Sequence, residues 1–279
     1  MHLSKASEDR SWPAHLALEF ERRATRSVLA TRRHDGPLLV QKPLYPEGDG
    51  VCHAIIVHPP GGIAAGDDLR LSARLKTHAH ALLTTPGAGK WYRSIGPWAR
   101  QSVDFDLDSG ACLEWLPQEN IIFNGVIAEL RTTVRLLGDA NFIGWEFYCL
   151  GRTGSGERIA TGSFRWRTLI ERDGRPLWFE NARLEDAGVL QSAVVLAGQT
   201  VVGTLMATSN KIDSALLNAC RRLQPVSGDG AVTLLPGLLV GRYLGASSEA
   251  AKNYFIKLWH VLRPAVSGRE AVEPRIWRT

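Results

Sequence analysis

The sequence predicts a mostly antiparallel β domain with two α-helices near its C-terminus, on three observations. Apolar and polar residues alternate through most of the chain, the pattern of strands with one buried face. Turn pairs such as Asp35-Gly36, Gly138-Asp139 and Asp173-Gly174 separate the alternating runs. A helical period appears only twice, both times after Ser209.

Met1 to Pro13 is polar, has few apolar groups to offset the entropy of ordering, and is expected to be a disordered tail before a single domain over residues 14–279. Leu16, Leu18 and Phe20 then alternate with polar neighbours, and Val28–Arg32 and Leu38–Lys42 flank His34-Asp35-Gly36: strand, strand, tight turn, strand. Pro43, Pro46, Gly48 and Gly50 make a loop before the strand Val51–Val57. Leu69, Leu71, Ala73 and Leu75 form the next alternating run, followed by His78, His80 and Leu82. Val103, Phe105 and Leu107 alternate with Asp104, Asp106 and Asp108, most simply a solvated acidic face, and Asp108-Ser109-Gly110 turns the chain into Ala111–Leu116. Leu130, Thr132, Val134 and Leu136 alternate with Arg131, Thr133 and Arg135, and beyond Gly138-Asp139 lies a densely apolar strand, Phe142–Leu150. Arg158–Arg172 and Pro176–Leu184 are expected to pair across Asp173-Gly174. The helical stripes are Ile212, Leu216, Cys220 and Leu223, then Ala251, Phe255, Leu258 and Leu262, with Ser209 and Ser247 or Ser248 as caps and Pro264 as a stop. No repeat and no internal linker is found.

Lys and Arg exceed Asp and Glu by 33 to 28, but the cations are scattered with no long basic run, which argues against nucleic acid as a partner. The four cysteines lie far apart among apolar neighbours, as free core cysteines do in a reducing compartment. The N-terminus lacks the apolar centre of a secretory signal, and no apolar run approaches the roughly 18 residues that span a bilayer, so a soluble cytoplasmic protein without membrane partners is expected.

Three loops stand out. His58-Pro59-Pro60-Gly61-Gly62 stiffens the chain and then frees it, and Gly66-Asp67 follows. Thr84-Thr85-Pro86-Gly87-Ala88-Gly89-Lys90 suggests a phosphate loop, but Thr84 stands where that motif needs a glycine and Trp91 where it needs a hydroxyl, so nucleotide binding is rejected there. The third loop is Glu114-Trp115-Leu116-Pro117-Gln118-Glu119. His58 is read either as a ligand with His53 or Asp67 or as a brace on a loop carbonyl, and Asp67 as a carboxylate that accepts amides of its own loop or lines a polar passage. His78 and His80 share a strand face and are read as surface or packing residues ahead of an imidazole clamp for nickel or zinc. Lys90 and Arg93 suit an acidic partner surface or are solvated loop cations, and Glu119, beside Trp115 in a loop closed by Pro117, reads as a hydrogen-bonded loop brace. No nucleophile elbow, HExxH or dinucleotide fingerprint is present.

In this order, together with Tyr92-Arg93-Ser94, Phe123-Asn124-Gly125 and the C-terminal Pro274-Arg275-Ile276-Trp277, the loops resemble the UreD (UreH) family of urease accessory proteins over nearly the whole chain. Ala64-Ala65, Asp68 and Asn124 depart from the family pattern. The resemblance implies an elongated fold of stacked sheets with two helices. It also implies a non-enzymatic scaffold that binds apo-urease and UreF, reaches the GTPase UreG through UreF, and helps deliver nickel with only transient passage of Ni2+ and no tightly bound cofactor. His58, Gly61, Gly62, Asp67, Thr85, Lys90, Tyr92, Arg93, Trp115, Gln118 and Glu119 are then the partner-binding or nickel-path candidates, with His58 and Asp67 as weak metal ligands. The rival is a metal-dependent hydrolase, which requires His58, Asp67, His78 and His80 to converge on one ion.

Overall fold

The computed structural model describes residues 12–185 and 187–278. The expected tail therefore lies, from Met1 to Ser11, outside the described residues, and Pro13 already opens a strand. The chain runs β1 (Pro13–Arg23), β2 (Arg26–Asp35), β3 (Leu39–Val40), β4 (Cys52–Val57), β5 (Asp68–Leu75), β6 (His80–Thr84), β7 (Gly89–Trp91), β8 (Ala99–Leu107), β9 (Cys112–Trp115), β10 (Asn120–Ile122), β11 (Val126–Leu136) and β12 (Asn141–Leu150). It continues through β13 (Gly162–Arg172), β14 (Arg175–Leu184), α1 (Ala187–Gln191), β15 (Val201–Thr208), α2 (Ser214–Arg221), β16 (Asp229–Leu235), β17 (Leu238–Gly245) and α3 (Ser248–Ser267).

These strands build two stacked sheets, one of order β14-β13-β11-β8-β5-β1-β2 and one of order β16-β17-β15-β12-β9-β6-β4-β3 with β7 and β10 attached at one end. Leu16, Leu71, Phe105 and Val134 of the first sheet meet Leu83, Leu113, Phe142 and Val240 of the second in one core. The other face of the second sheet is covered by α2 and α3, where Trp145, Phe147 and Leu205 pack on Tyr254, Phe255 and Leu258. β12 is thus buried on both faces, which is why it reads as an apolar run, whereas the first sheet has one open face and alternates. On that open face Arg135 sits 3.4 Å from both Asp104 and Asp106, so the acidic row is solvated and interleaved with arginine.

The mostly-β class, the stacked sheets and the two C-terminal helices are as expected, but strand polarity is not. β1, β5, β8, β11 and β13 run parallel, as do β4, β6, β9 and β12, with antiparallel pairs confined to the flanks. The cause is that the chain crosses from sheet to sheet at nearly every strand, so each return lies beside the previous one and in the same direction. The winding is a two-sheet coil, and it contains the repeat that sequence reading missed. Leu75-Lys76-Thr77-His78-Ala79, Leu107-Asp108-Ser109-Gly110-Ala111 and Leu136-Leu137-Gly138-Asp139-Ala140 are equivalent turns. They stack through Asp108 N–H to Leu75 O and Leu137 N–H to Leu107 O, both 2.9 Å, each with its alanine fully buried.

Smaller expectations also changed. The Asp35-Gly36 turn joins no hairpin: it carries the chain from β2 in the first sheet to β3, which pairs with β4 in the second. Asp173-Gly174, with φ of 51° and 73°, does close the β13–β14 hairpin. Asp213 rather than Ser209 caps α2, accepting Leu216 N–H at 2.8 Å, while Ser247 caps α3. Pro264 lies inside α3, which ends at Gly268 with φ of 70°. All four cysteines are free and buried. No helix among the described residues is long and apolar enough to cross a membrane.

Candidate functional site

Opposite the tight turns, each winding of the coil closes through a longer loop, and these loops carry the three singled-out segments. Residues 58–67 join β4 to β5, 85–98 join β6 to β8, and 116–125 join β9 to β11. Because the windings stack, the loops stack. Ile63 N–H donates to Lys90 O at 2.7 Å and Tyr92 N–H to Ile63 O at 2.9 Å; Gly89 N–H reaches Glu119 O at 2.8 Å and Phe123 N–H reaches Trp91 O at 3.0 Å. The C-terminal segment joins them: Trp277 Nε1 donates to Thr84 Oγ1 at 2.9 Å, and Thr84 Oγ1 donates to Leu116 O at 2.6 Å. Gly89-Lys90-Trp91 is a strand, not the mouth of a helix, in keeping with the rejected phosphate loop.

Between the sheets at this end lies a cavity of about 320 Å³, whose lining includes His58, Gly61, Gly62, Thr85, Lys90, Trp115 and Gln118. The remaining candidates lie on the same three loops. Asp67 Oδ2 accepts Ala64 N–H at 2.7 Å, which makes it the brace of its own loop. Thr85 Oγ1 accepts Gln118 N–H at 2.9 Å and so joins two loops. The ring of Tyr92 lies across Gly62 so closely that a Cβ there would sit 2.2 Å from it, and its edge meets Phe123 at 5.1 Å. Arg93 lays its aliphatic stem on Gly125 and is exposed beyond it. Glu119 lies outside the cavity, in a crevice with Lys252 and Trp277. Burial lowers the pKa of His58 further than Asp67 raises it, so its imidazole is neutral near pH 7.

The most informative lining residue is Glu146, which sequence reading passed over. It is the single acid of apolar β12 and is buried on the face turned to the first sheet. Thr132 Oγ1 donates to its Oε1 at 2.5 Å and Tyr148 Oη to its Oε2 at 3.0 Å. Burial raises its pKa against those hydrogen bonds, and Glu180 adds to the rise. The Trp115 indole N–H favours its charged form yet falls outside hydrogen-bond geometry, so a buried donor beside the cavity has no acceptor among the described residues. An acid in an otherwise apolar, doubly buried strand was the available signal.

His78 and His80 lie at the other end of the coil. Eight residues of β5 separate Asp67 from that end, about 25 Å at ~3.3 Å per residue. His78 sits in the first tight turn, close to Gly110. His80 Nε2 donates to Glu114 Oε1 at 2.8 Å. The four residues of the hydrolase reading are therefore not one set, and among the described residues no group of three or more His, Cys, Asp or Glu is placed to hold a metal ion.

Glu114 anchors a buried ionic chain that was also missed. It accepts from Trp259 Nε1 at 2.7 Å and from Arg263 Nε at 2.9 Å, while Arg263 Nη2 reaches Glu47 at 2.7 Å and His53 Nε2 meets Glu47 at 2.6 Å. Burial opposes both charges, but Cys112 and Glu114 push His80 up to about 10, and His80 and Arg263 hold Glu114 down to about 2. This chain ties α3 to the sheet that carries the third loop.

Comparison with known proteins matches this sequence to one family. The family model described as UreD urease accessory protein covers residues 13–278. The chain is 55% identical over 269 residues to a protein of Azoarcus sp. (strain BH72) named urease accessory protein UreD, covering 96% of this chain and 94% of that one. Proteins of the same name from Dechloromonas aromatica (strain RCB) and Pseudomonas aeruginosa (strain PAO1) are 49% and 50% identical, over 99% and 96% of this chain and 98% and 96% of their own. The chain belongs to the UreD family of urease accessory proteins.

Proposed function

We propose that this chain acts in urease maturation as a non-enzymatic scaffold. It binds apo-urease and UreF, reaches UreG through UreF, and gives nickel released by UreG-dependent GTP hydrolysis a protected route toward the urease active site. The observation that carries the reading is the cavity between the sheets at the end where every family segment meets, with Glu146 in its wall and an unmatched Trp115 donor beside it. One carboxylate with hydroxyl and amide neighbours coordinates a hydrated ion weakly, so the ion exchanges; a closed set of thiolates and imidazoles would retain it. The stacked loops also supply a broad face of the kind that stable protein contacts require.

The test is Glu146→Gln beside Glu146→Leu, assayed for binding of UreF and apo-urease and then for nickel content and activity of the urease formed. Binding is retained in both, and nickel incorporation falls in both, more steeply for leucine, which removes every polar contact. Full activation by Glu146→Leu with partners bound would leave an adaptor through which no metal passes.

A further inference from the structure

We propose that the loop tip at Ser94–Pro97 is the anchor of a protein contact, with Ile95 seated in an apolar pocket of the partner whose rim is lined by carboxylates. The inference rests on the scaffold reading above and adds to it the residue and the partner chemistry.

Ile95 is 92% exposed, and the loop around it is held. Ser94 N–H donates to Gly125 O at 3.0 Å, Ser94 Oγ donates to Pro97 O at 2.8 Å and accepts Gly96 N–H at 3.2 Å, and Arg93 bridges to Val126. On the far side the Arg165 guanidinium covers the Trp98 ring at 4.6 Å. A branched aliphatic side chain is thus presented to water on a rigid tip. That arrangement does nothing for the fold, and it lowers the ordering cost of association.

Charge selects the partner. No carboxylate occurs from Thr85 to Trp98, and Lys90 and Arg93 have no carboxylate partner among the described residues. The acids on and beside these loops are turned elsewhere: Asp67 is engaged by Ala64 N–H, Glu157 by Arg152 and by Asn124 N–H, and Glu185 by Arg165, while Glu119 lies in the crevice with Lys252. An apolar point on a loop that carries two cations without an ion-pair partner among the described residues matches an apolar pocket with an acidic rim, in the geometry of a central anchor and a charged surround. A bilayer is the poorer match, because membrane-surface segments present a wide apolar face and this tip presents one aliphatic side chain.

The test uses the full chain and purified UreF and apo-urease, each immobilised separately, with Ile95→Ser and the double variant Lys90→Glu/Arg93→Glu. Ile95→Ser weakens binding to one of the two partners by about 10-fold or more through faster dissociation, and leaves the other partner and the melting temperature unchanged. The charge reversal slows association with that same partner about 10-fold and flattens its salt dependence. Wild-type binding to both partners with both variants unaltered overturns the anchor and leaves the scaffold standing. Wild-type binding to neither overturns both readings. Ile95-dependent binding to vesicles containing phosphatidylserine, in place of either protein, replaces the protein partner with a membrane.

Discussion

Replacing Arg263 with methionine tests the largest concentration of buried charge among the described residues. Arg263 is fully buried, and its guanidinium donates to both oxygens of Glu114, both oxygens of Glu47 and the carbonyl of Glu270. Methionine fills much of the volume and makes none of these bonds. Two carboxylates then remain in the interior, compensated only by His80 and Trp259 on one and His53 on the other. Breaking a buried pair by removing one partner costs about 3–5 kcal/mol, because the charge left behind cannot be hydrated. At roughly 2–4 °C per kcal/mol, the melting temperature falls by about 6–20 °C. Lysine does not rescue, since one ammonium cannot serve two carboxylates in a bidentate manner. Urea titration monitored by circular dichroism gives the free energy, and adding Glu114→Gln to Arg263→Met recovers at least ~1 kcal/mol relative to additivity. A variant within ~1 kcal/mol of the parent, or a strictly additive double variant, refutes the reasoning. Arg135→Met on the open face is the control, with a cost below ~1 kcal/mol despite its two aspartate contacts.

The same chain sets a pH dependence. His80 is raised from 6.5 to about 10, so its contribution is complete below pH 6.5 and is lost as pH rises toward 10. Stability measured from pH 6.5 to 10 should fall by a few kcal/mol, at most about 1.4 kcal/mol for each pH unit crossed, and His80→Gln should flatten the curve. Glu114, held down to about 2 from 4.5, contributes in full above pH 4.5 and loses its effect as pH falls toward 2, a decline that Glu114→Gln removes. Gly62→Ala places a methyl into the Tyr92 ring, so Tyr92 fluorescence and the Ile63–Lys90 contact shift while the global melting temperature drops by about 2–12 °C, read by thermal scan. Trp277→Phe keeps the ring contacts with Trp145 and Trp259 but loses the hydrogen bond to Thr84, costing about 1 kcal/mol and increasing amide exchange at the 84–88 loop.

Period carried most of the fold into the sequence. Strand alternation, the Asp173-Gly174 hairpin and both helical stripes are local properties, and they were legible because one face of each element meets a core. Polarity was not legible, since a strand with one open face alternates identically whether its neighbour runs parallel or antiparallel. The repeat hid behind its turn residues: the left-handed position falls on His78 and Gly110 in the first two turns but one place earlier, on Gly138, in the third, and only the leucine before and the alanine after stay constant. At the site, the loop residues were found by their prolines and glycines. Glu146 and Arg263 were passed over because each stands alone in an apolar run, where an isolated charge says nothing of the partner that folding supplies from 14 or 149 residues away.

The coil explains why segments so far apart in sequence act at one place. In a sheet wound from hairpins, successive loops alternate between the two ends, and consecutive segments would lie on opposite sides of the molecule. Here each winding leaves the first sheet through a tight turn and returns through a longer loop, so the loops that return from the second sheet to the first all fall at the same end, in chain order. The tight turns, tied by Asp108 to Leu75 and Leu137 to Leu107, hold the windings in step. The loops at the far end are thereby free to lengthen, and they surround the space between the sheets without breaking the ladder that supports them. Asp67 and Thr85 spend their side chains on that loop stack, whereas Glu146 and the tip at Ile95 are supported by it and turn elsewhere: Glu146 into the cavity, Ile95 into solvent.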